Sequence, residues 1–270
     1  MTLTFLICTI DQGIASVPAV LLPPQAGVDY VVSWQYTDER VLATVPATLA
    51  ERTDVRLVRL PGKGLSRNRN HALAHATGDI CVIADDDCRY EAEAVRTILD
   101  TYRQHPDTDI ALFQAADYDG RPIKPYPDHA YRYEEAPKGT YPCSVEMTLR
   151  RRVYEQGVRF DERFGLGSAC LACGEEDVFL HDAMRQGFRI VAYPRRIVRS
   201  DARHTGLCPL TDPRVQRSKG ATFCYCFGYA SALYRIGKEA AYHFIHSGAN
   251  PFRLFGRMYE GIRYIHRSHD

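Results

Sequence analysis

The stretch Gly78-Asp79-Ile80-Cys81-Val82-Ile83-Ala84-Asp85-Asp86-Asp87 is the most informative part of the chain. Its apolar centre, rich in valine and isoleucine, predicts a buried strand over Ile80–Ala84. Three carboxylates follow at once, and burying a charge is costly unless it is paired or binds a metal. One interpretation is a cleft at the carboxyl end of the strand, where a hard cation is held between these acids and a phosphorylated ligand.

The three acids also fit a plainer structural role. Carboxylates stabilise a helix N-terminus, and a helix is predicted next, because Val95, Ile98, Leu99 and Tyr102 recur at helical spacing. The triplet alone therefore leaves a metal site and an acidic helix cap equally open.

The composition is typical of a soluble globular protein of one domain or two small ones: 270 residues, 45% hydrophobic and 25% charged. Lys and Arg number 34 against 33 Asp and Glu, which argues against bulk nucleic-acid binding. The first basic residue is Arg40, so we expect no signal peptide over Leu3–Ile10. The nine cysteines, an odd number, favour reduced thiols in a cytoplasm.

Strands and helices alternate through the first half, which predicts an α/β fold with a parallel sheet. The predicted strands are Leu3–Ile10, Tyr30–Gln35, Val55–Leu60, Ile80–Ala84 and Ile110–Ala115, and further ones are Cys143–Leu149, Arg189–Tyr193 and Ile197–Ser200. Residues 117–142 interrupt this alternation with five prolines and five tyrosines. We expect a functional loop there rather than regular elements.

Two further motifs carry chemistry. In Gly62-Lys63-Gly64-Leu65-Ser66-Arg67-Asn68-Arg69-Asn70 a basic, glycine-containing turn enters a helix, which suits a diphosphate, although a basic surface turn is the simpler interpretation. Glu175, Glu176 and Asp177 open an amphipathic helix over Glu175–Arg185. A carboxylate there either caps the helix or acts as a general base.

The order of these motifs resembles that of the inverting family-two glycosyltransferases of the GT-A fold. The shared elements are the basic turn with Arg69-Asn70, the step Gly78-Asp79, the strand ending in Asp85-x-Asp87, Phe160-Asp161-Glu162-Arg163-Phe164-Gly165 and the helix that opens with Glu176-Asp177. The resemblance covers roughly residues 3–205. It implies a Rossmann-like, mostly parallel central sheet flanked by helices in a catalytic domain of residues 1–205, and leaves 206–270 as a C-terminal helical extension.

The resemblance also implies roles for individual residues. Asp177 is the expected catalytic base, with Glu176 beside it, and the expected ligands of Mn²⁺ or Mg²⁺ are Asp85, Asp87 and His204. The donor nucleotide is expected to contact Asp85, Asp86, Arg69, Gln35, Asp38 and Lys63. Gln35 and Asp38 are included because the acidic turn that usually reads the base is replaced here by Ser33-Trp34-Gln35-Tyr36.

These roles predict transfer of a sugar from a nucleotide diphosphate, first of all a UDP-sugar, to a glycan or lipid-linked saccharide. A sugar-nucleotide pyrophosphorylase is one alternative, but its basic glycine loop normally follows the first strand, where this chain has Ile10-Asp11-Gln12-Gly13. A non-catalytic glycan-binding protein is the other alternative.

The C-terminal tail from Pro251 forms a basic amphipathic pattern. Its apolar positions on a helical wheel are Leu254, Phe255, Met258, Tyr259, Ile262 and Ile265. Such a helix fits peripheral contact with the inner face of a membrane, and it fits packing on the protein's own core equally well.

Overall fold

The computed structural model describes residues 1–201 and 211–267. Within them, nine strands form one sheet in the order β3-β2-β1-β4-β8-β6-β9-β5, with β7 paired to β9. The strands are β1 (Leu3–Ile10), β2 (Val28–Tyr36), β3 (Val55–Pro61), β4 (Ile80–Asp85), β5 (Arg89–Tyr90), β6 (Ile110–Ala116), β7 (Tyr131–Arg132), β8 (Met147–Arg150) and β9 (Ile190–Arg199).

The first four long strands make up a parallel half-sheet, in which β3, β2, β1 and β4 run side by side. The apolar runs of β1 and β4 are buried on both faces, as parallel strands covered by helices require. The predicted Rossmann-like arrangement is thus confirmed for this half. Beyond β4 the sheet is mixed, because β8 runs antiparallel to both β4 and β6 while β9 returns parallel to β6.

Two predicted strands differ from the observed ones. The strand expected from Cys143 begins only at Met147, because Ser144–Glu146 form a turn of 3-10 helix. The two strands expected over 189–193 and 197–200 are one continuous β9. It passes through Pro194, where the pairing with β6 shifts register between Leu112 and Gln114, and such an irregularity accommodates a residue without an N–H donor.

Eight α-helices lie in the described residues. They are α1 (Ala47–Ala50), α2 (Leu65–Ala74), α3 (Ala92–Gln104), α4 (Arg151–Glu155), α5 (Glu175–Arg185), α6 (Pro213–Phe227), α7 (Tyr229–Ser247) and α8 (Pro251–Arg267). Short 3-10 helices follow β1 and β2, at Asp11–Ala19 and Glu39–Thr44.

The chain divides into two compact units. The first contains Met1–Lys63, Arg67–Arg159 and Asp182–Ala202, and the second contains Gly64–Ser66, Phe160–His181 and Arg203–Asp270. The predicted domain boundary between residues 205 and 206 lies outside the described residues and stays a prediction. The sheet belongs to the first unit, whose core includes Phe5 stacked on Tyr30 at 5.2 Å between ring centroids.

The second unit is built on helices α6, α7 and α8. Its core holds Phe164, Leu171 and Val178 together with apolar residues of the three helices. Helices α6 and α8 approach each other at two glycines: a Cβ on Gly220 would lie 1.9 Å from the carbonyl oxygen of Met258, and one on Gly261 would lie 1.9 Å from that of Arg217. Only hydrogen fits at either position.

Helix α8 uses most of its predicted apolar face inside the second unit. Leu254, Met258, Ile262 and Ile265 are all buried in the core of that unit, which agrees with packing on the protein's own core. Phe255 differs, since 36% of it is exposed. No helix in the described parts of the chain is long and apolar enough to cross a membrane.

We predict opposite effects on stability for two alanine substitutions in α8. Gly261→Ala should lower the free energy of unfolding by about 1–3 kcal/mol, because its methyl group overlaps a backbone carbonyl that cannot move freely. Gly256→Ala should raise it by roughly 0.5–1 kcal/mol, because its Cβ meets nothing within 4 Å and alanine favours a helix. Urea unfolding followed by circular dichroism measures both, and equal stability of the two variants would contradict the packing described.

Candidate active site

The three aspartates form a tight turn at the carboxyl end of β4. The turn is closed by the Cys88 amide, which donates to the carbonyl of Asp85 at 3.1 Å. Because β4 lies at the inner edge of the parallel half-sheet, the turn stands where open α/β sheets bind their ligands. The predicted position of the acidic cluster, beyond a buried strand, is therefore what the structure shows.

Asp86 faces β1 and the segment that follows it. Its Oδ2 accepts a hydrogen bond from the Thr9 hydroxyl at 2.5 Å, and a Cβ on Gly13 would lie 2.2 Å from the same oxygen. Burial raises the pKa of Asp86 to about 6, and the charges of Asp85 and Asp87 act in the same direction. The protein thus holds Asp86 through the Thr9 hydroxyl.

Asp85 lies beside a buried guanidinium. Arg69, on α2, is only 1% exposed; its Nη2 lies 3.5 Å from Asp85 Oδ1 and donates to the Ser144 hydroxyl at 2.6 Å. Asp85 itself is 32% exposed, so one side of its carboxylate is open to solvent. The helix that follows the basic turn therefore fixes Asp85 from within the protein.

Asp87 is tied to two other segments of the first unit. Its carboxylate accepts from the amide of Asp201 at 3.1 Å, and its carbonyl accepts from the hydroxyl of Tyr118 at 2.7 Å. Burial, with the nearby charge of Asp85, raises the pKa of the Asp87 carboxyl. Tyr118 opens the proline- and tyrosine-rich segment, so that segment is anchored at the acidic turn.

The acidic turn fits a hard divalent cation. No group of three or more His, Cys, Asp or Glu side chains among residues 1–201 and 211–267 is placed to hold a metal. Mg²⁺, however, is commonly bound by one or two carboxylates and completed by substrate phosphates and water. Asp85 and Asp87 supply such oxygens two positions apart, and their mutual repulsion is what a cation would relieve. The third predicted ligand, His204, lies outside the described residues.

A second group of polar residues lies at the ends of β1 and β2. Gln35 is only 2% exposed, and within the described chain its side-chain nitrogen has no hydrogen-bond partner. The same holds for the side-chain oxygen of Asn68, whose amide nitrogen donates to the carbonyl of Thr9 at 3.1 Å. Buried polar atoms are normally paired, so these two are candidates for contact with a ligand.

Asp38 is engaged locally. Its carboxylate accepts from the Arg40 amide at 2.9 Å and pairs with the Arg40 guanidinium, which lowers the pKa of Asp38. It caps the 3-10 helix that begins at Glu39. Gln35, rather than Asp38, thus has an unused donor in this part of the site.

Asp11 fastens the end of β1 to the turn after β2. Its φ of +47° is unusual for a residue other than glycine. Its two carboxylate oxygens accept from the amide and hydroxyl of Thr37, at 2.7 and 2.8 Å. The neighbouring ring of Trp34 donates to the Asp11 carbonyl at 2.9 Å. These contacts hold the two strand ends rigidly next to Gln35.

The basic turn before α2 has the shape that its sequence predicts. Gly62 and Gly64 have φ of +95° and +128°, values that side chains disfavour, and Lys63 between them is exposed. The guanidinium of Arg67 donates to the carbonyl of Pro61 at 2.9 Å, so it closes the turn.

The acidic helix α5 begins in the second unit. Glu175 is 4% exposed, whereas Glu176 and Asp177 are only partly buried. Two tight glycine positions define this end of the helix: a Cβ on Gly174 would lie 2.3 Å from the hydroxyl of Thr222, and one on Gly165 would lie 3.1 Å from Cδ of Glu175. The buried Glu175 therefore serves the packing, and the next two carboxylates are the accessible ones.

The tyrosine-rich segment is held by a buried ion pair. Lys124 Nζ lies 2.8 Å from Glu146 Oε2, and both side chains are about as buried as the core, at 5% and 3% exposed. The Tyr126 hydroxyl donates to the other oxygen of Glu146 at 2.5 Å. The segment is mainly irregular, as predicted, although it contributes the short β7 and one turn of 3-10 helix at Tyr133–Glu135.

Thr9, Ser144 and Tyr118 are site residues that the sequence analysis missed. Each contacts the acidic turn or Arg69 from a distant point in the chain; Ser144 follows Arg69 by 75 positions. Of the three, only Tyr118 could have been identified from the sequence pattern, because it lies at the start of the tyrosine-rich segment. Serine and threonine carry no motif, so only the pairing of the strands brings them into place.

The chain was compared with known families and structures. The family model "Glycosyl transferase family 2" matches residues 39–170. The search of curated proteins found no match. Among solved structures the chain is similar to S. aureus TarS, with 17% identity and a TM-score of 0.58. The similarity covers 92% of this chain and 44% of the TarS chain.

Shorter crystal structures of TarS, residues 1–349, give the same result. The complex with UDP has a TM-score of 0.59 at 18% identity, covering 94% of this chain and 75% of that one. The complex with UDP-GlcNAc has a TM-score of 0.58 at 17% identity, covering 94% and 76%. At this identity the likeness establishes a shared fold.

A parallel half-sheet whose inner strand ends in carboxylates, on a fold shared with these structures, is the GT-A architecture that the sequence predicts. Together with the family match, this architecture confirms the predicted resemblance. Residues 39–170, slightly less than half of the chain, match the glycosyltransferase family 2 model, and this match supports a glycosyltransferase.

We predict that Ser144→Ala destabilises the first unit. It removes one acceptor of a buried guanidinium, which should lower the free energy of unfolding by about 1–3 kcal/mol. Ser231→Ala is a matched control, since Ser231 also accepts from an arginine, Arg235, at 3.3 Å, but this contact is only partly buried. The control should stay within about 0.5 kcal/mol of the native protein. Equal effects in urea unfolding would show that Arg69 does not depend on Ser144.

Proposed function

We propose that the protein transfers a sugar from a nucleotide diphosphate donor, first of all a UDP-sugar, to a hydroxyl of a glycan or lipid-linked saccharide, with inversion at the anomeric carbon. The observation that carries this proposal is the acidic turn after β4, with Asp85 fixed by the buried Arg69. Structures of similar fold were solved with UDP and with UDP-GlcNAc, which supports the choice of donor.

The donor nucleotide is proposed to lie across the carboxyl ends of the parallel strands. The unpaired amide nitrogen of Gln35 is suited to donate to a base carbonyl, and Asp38 stands just beyond it. Lys63, exposed on the basic turn, supplies a cation for the diphosphate, and Arg69 keeps Asp85 in place. Asp86 supports the turn from behind through Thr9.

Asp85 and Asp87 are proposed to hold Mn²⁺ or Mg²⁺, with His204 as a further ligand. Their oxygen donors are of the kind that these cations bind, and the donor diphosphate would complete the coordination. When bound, such a cation offsets the negative charge that grows on the departing diphosphate. Asp85 and Asp87 also orient the diphosphate through this contact.

Asp177 is proposed as the general base. It stands in the first turn of α5, where the helix dipole favours the ionised carboxylate that a base requires. It would take the proton from the acceptor hydroxyl while the acceptor oxygen bonds to the anomeric carbon from the face opposite the diphosphate. The bond to the diphosphate breaks, and the diphosphate leaves with the electron pair. Glu176 is proposed to assist beside it.

The donor screen that tests the proposed function uses the full chain with Mn²⁺ and a panel of nucleotide sugars, and it measures release of nucleoside diphosphate. We expect release with a UDP-sugar, faster when a saccharide acceptor is present. Consumption of a nucleoside triphosphate and a sugar phosphate would instead identify a pyrophosphorylase. Saccharide binding without any turnover would identify a binding protein, and either result would refute the proposal.

We predict that the three aspartates of the turn differ in their effect on UDP binding. Asp85→Asn and Asp87→Asn should each weaken Mn²⁺-dependent binding at least tenfold, because they lose charged ligands of the cation. Asp86→Asn should weaken it less, because an amide oxygen can still accept from the Thr9 hydroxyl. Calorimetric titration with UDP, with and without Mn²⁺, measures the difference. A larger loss for Asp86→Asn would place the cation elsewhere.

We predict that Asp177→Asn folds and binds donor but loses transfer by a factor on the order of 10²–10⁴. Asp182→Asn, the same change on the same helix, is the control and should keep most of its activity. Turnover is measured by release of nucleoside diphosphate, and donor affinity is measured separately by calorimetry. Near-native turnover of the Asp177 variant would remove this residue from the role of base.

The protein is proposed to act in the cytoplasm, with peripheral contact to the inner face of the membrane. A lipid-linked acceptor offers its saccharide at that surface, so contact there would bring acceptor and enzyme together.

A further inference from the structure

The turn between α7 and α8 carries a group of exposed apolar side chains. We define the hairpin tip by Tyr242, Phe244, Ile245, Phe252 and Phe255, which are 53%, 56%, 75%, 87% and 36% exposed. Single exposed apolar residues are ordinary, but a group of them usually marks a surface that contacts a membrane or another molecule. The hairpin tip is therefore a candidate interaction surface.

The five side chains lie at one end of an antiparallel helix pair. Tyr229, at the start of α7, reaches residues of the second half of α8: its hydroxyl is 3.3 Å from that of Tyr259, and its ring centroid is 5.2 Å from that of His266. The end of α7 and the start of α8 therefore meet at the opposite end of the pair. Gly248, with φ of +68°, ends α7 there.

The core of the second unit does not use these side chains. Helix α8 buries Leu254 and Met258 in that core, and Phe252 is turned about 200° from Leu254 around the helix axis. Phe252 consequently projects almost wholly into solvent. The apolar positions of α8 are thus divided between a buried face and an exposed one.

The charges around the hairpin tip are of one sign. No Asp or Glu occurs between Glu239 and Glu260, whereas Lys238, Arg253 and Arg257 lie in or beside this stretch. Glu239 pairs with Lys219 and His243. Within the described residues Lys238 and Arg253 have no ion-pair partner, so their positive charge is uncompensated.

We propose that the hairpin tip inserts into the headgroup layer of a membrane that contains anionic lipids. Phenylalanine, tyrosine and isoleucine beside arginine and lysine, with no acid among them, is the composition of interfacial membrane segments. An anionic lipid surface complements the uncompensated Lys238 and Arg253. Apart from Phe255, this surface differs from the α8 face that the sequence suggested, most of which is buried. The proposal assigns a surface to the peripheral membrane contact proposed above, on which it rests, and it does not depend on the transfer chemistry.

The test is co-sedimentation of the full chain with phosphatidylcholine vesicles that contain or lack phosphatidylglycerol. The native chain should bind the anionic vesicles, and more weakly at high salt. Phe252→Ser and Ile245→Ser should each reduce the partition coefficient about tenfold, because each removes a large apolar side chain from the lipid phase. Arg253→Glu should reduce it at least fivefold.

Tyr234→Ser is the matched control. Tyr234 is 74% exposed, nearly the same as Ile245, and it lies on the same helix about 16 Å further along the axis. Its substitution should leave vesicle binding unchanged. Release of nucleoside diphosphate with a water-soluble acceptor should be the same in all four variants, so that a failure of membrane binding is distinguished from a failure of the proposed transfer reaction.

Absence of binding to anionic vesicles by the native chain would overturn the proposal. So would equal losses for Tyr234→Ser and Phe252→Ser, since they would place the contact elsewhere. Analytical ultracentrifugation of the native chain and of Phe252→Ser tests whether a second copy of the chain covers the hairpin tip instead of lipid. A native oligomer that Phe252→Ser converts to monomers would show that a second copy, rather than lipid, covers the hairpin tip.

Discussion

The buried guanidinium of Arg69 is the constraint on which the first unit depends. It is nearly inaccessible to water, so its charge must be met inside the protein, and Asp85 and Ser144 meet it. The same contacts join the helix after the basic turn, the end of β4 and the turn before β8. The protein itself therefore holds Asp85 in place, and this would reduce the reorganisation required to bind the proposed donor.

The three adjacent aspartates of the acidic turn have different contacts within the protein. Asp86 is bonded to Thr9 and lies close to Gly13, whereas Asp85 is paired with Arg69 and Asp87 accepts from the amide of Asp201. Tyr118 links the turn to the long segment that the Lys124–Glu146 pair fastens to the sheet. The tyrosine-rich segment and the acidic turn are thus linked to each other within the first unit.

The sequence predicted what depends on local pattern. Apolar runs located β1 to β4, and the acids after Ile83 located the candidate site, because strand periodicity and charge are properties of neighbouring residues. Ser144 and Thr9 were not predictable, because their contacts with Arg69 and Asp86 arise from strand pairing across long separations. The helical wheel of α8 grouped Leu254 with Phe255, and only the packing of α6 and α7 shows that the first is buried and the second partly exposed.

The two-sided use of α8 restricts how this helix can change in length. Each residue turns the helix by about 100°, so deleting one residue after Leu254 would rotate all later side chains away from their places. Arg263 would take the place of Ile262 beside the close contact at Gly261, and a charge would enter the core. Substitutions on the outer side of α8 are therefore compatible with the fold, whereas insertions and deletions within the helix are not.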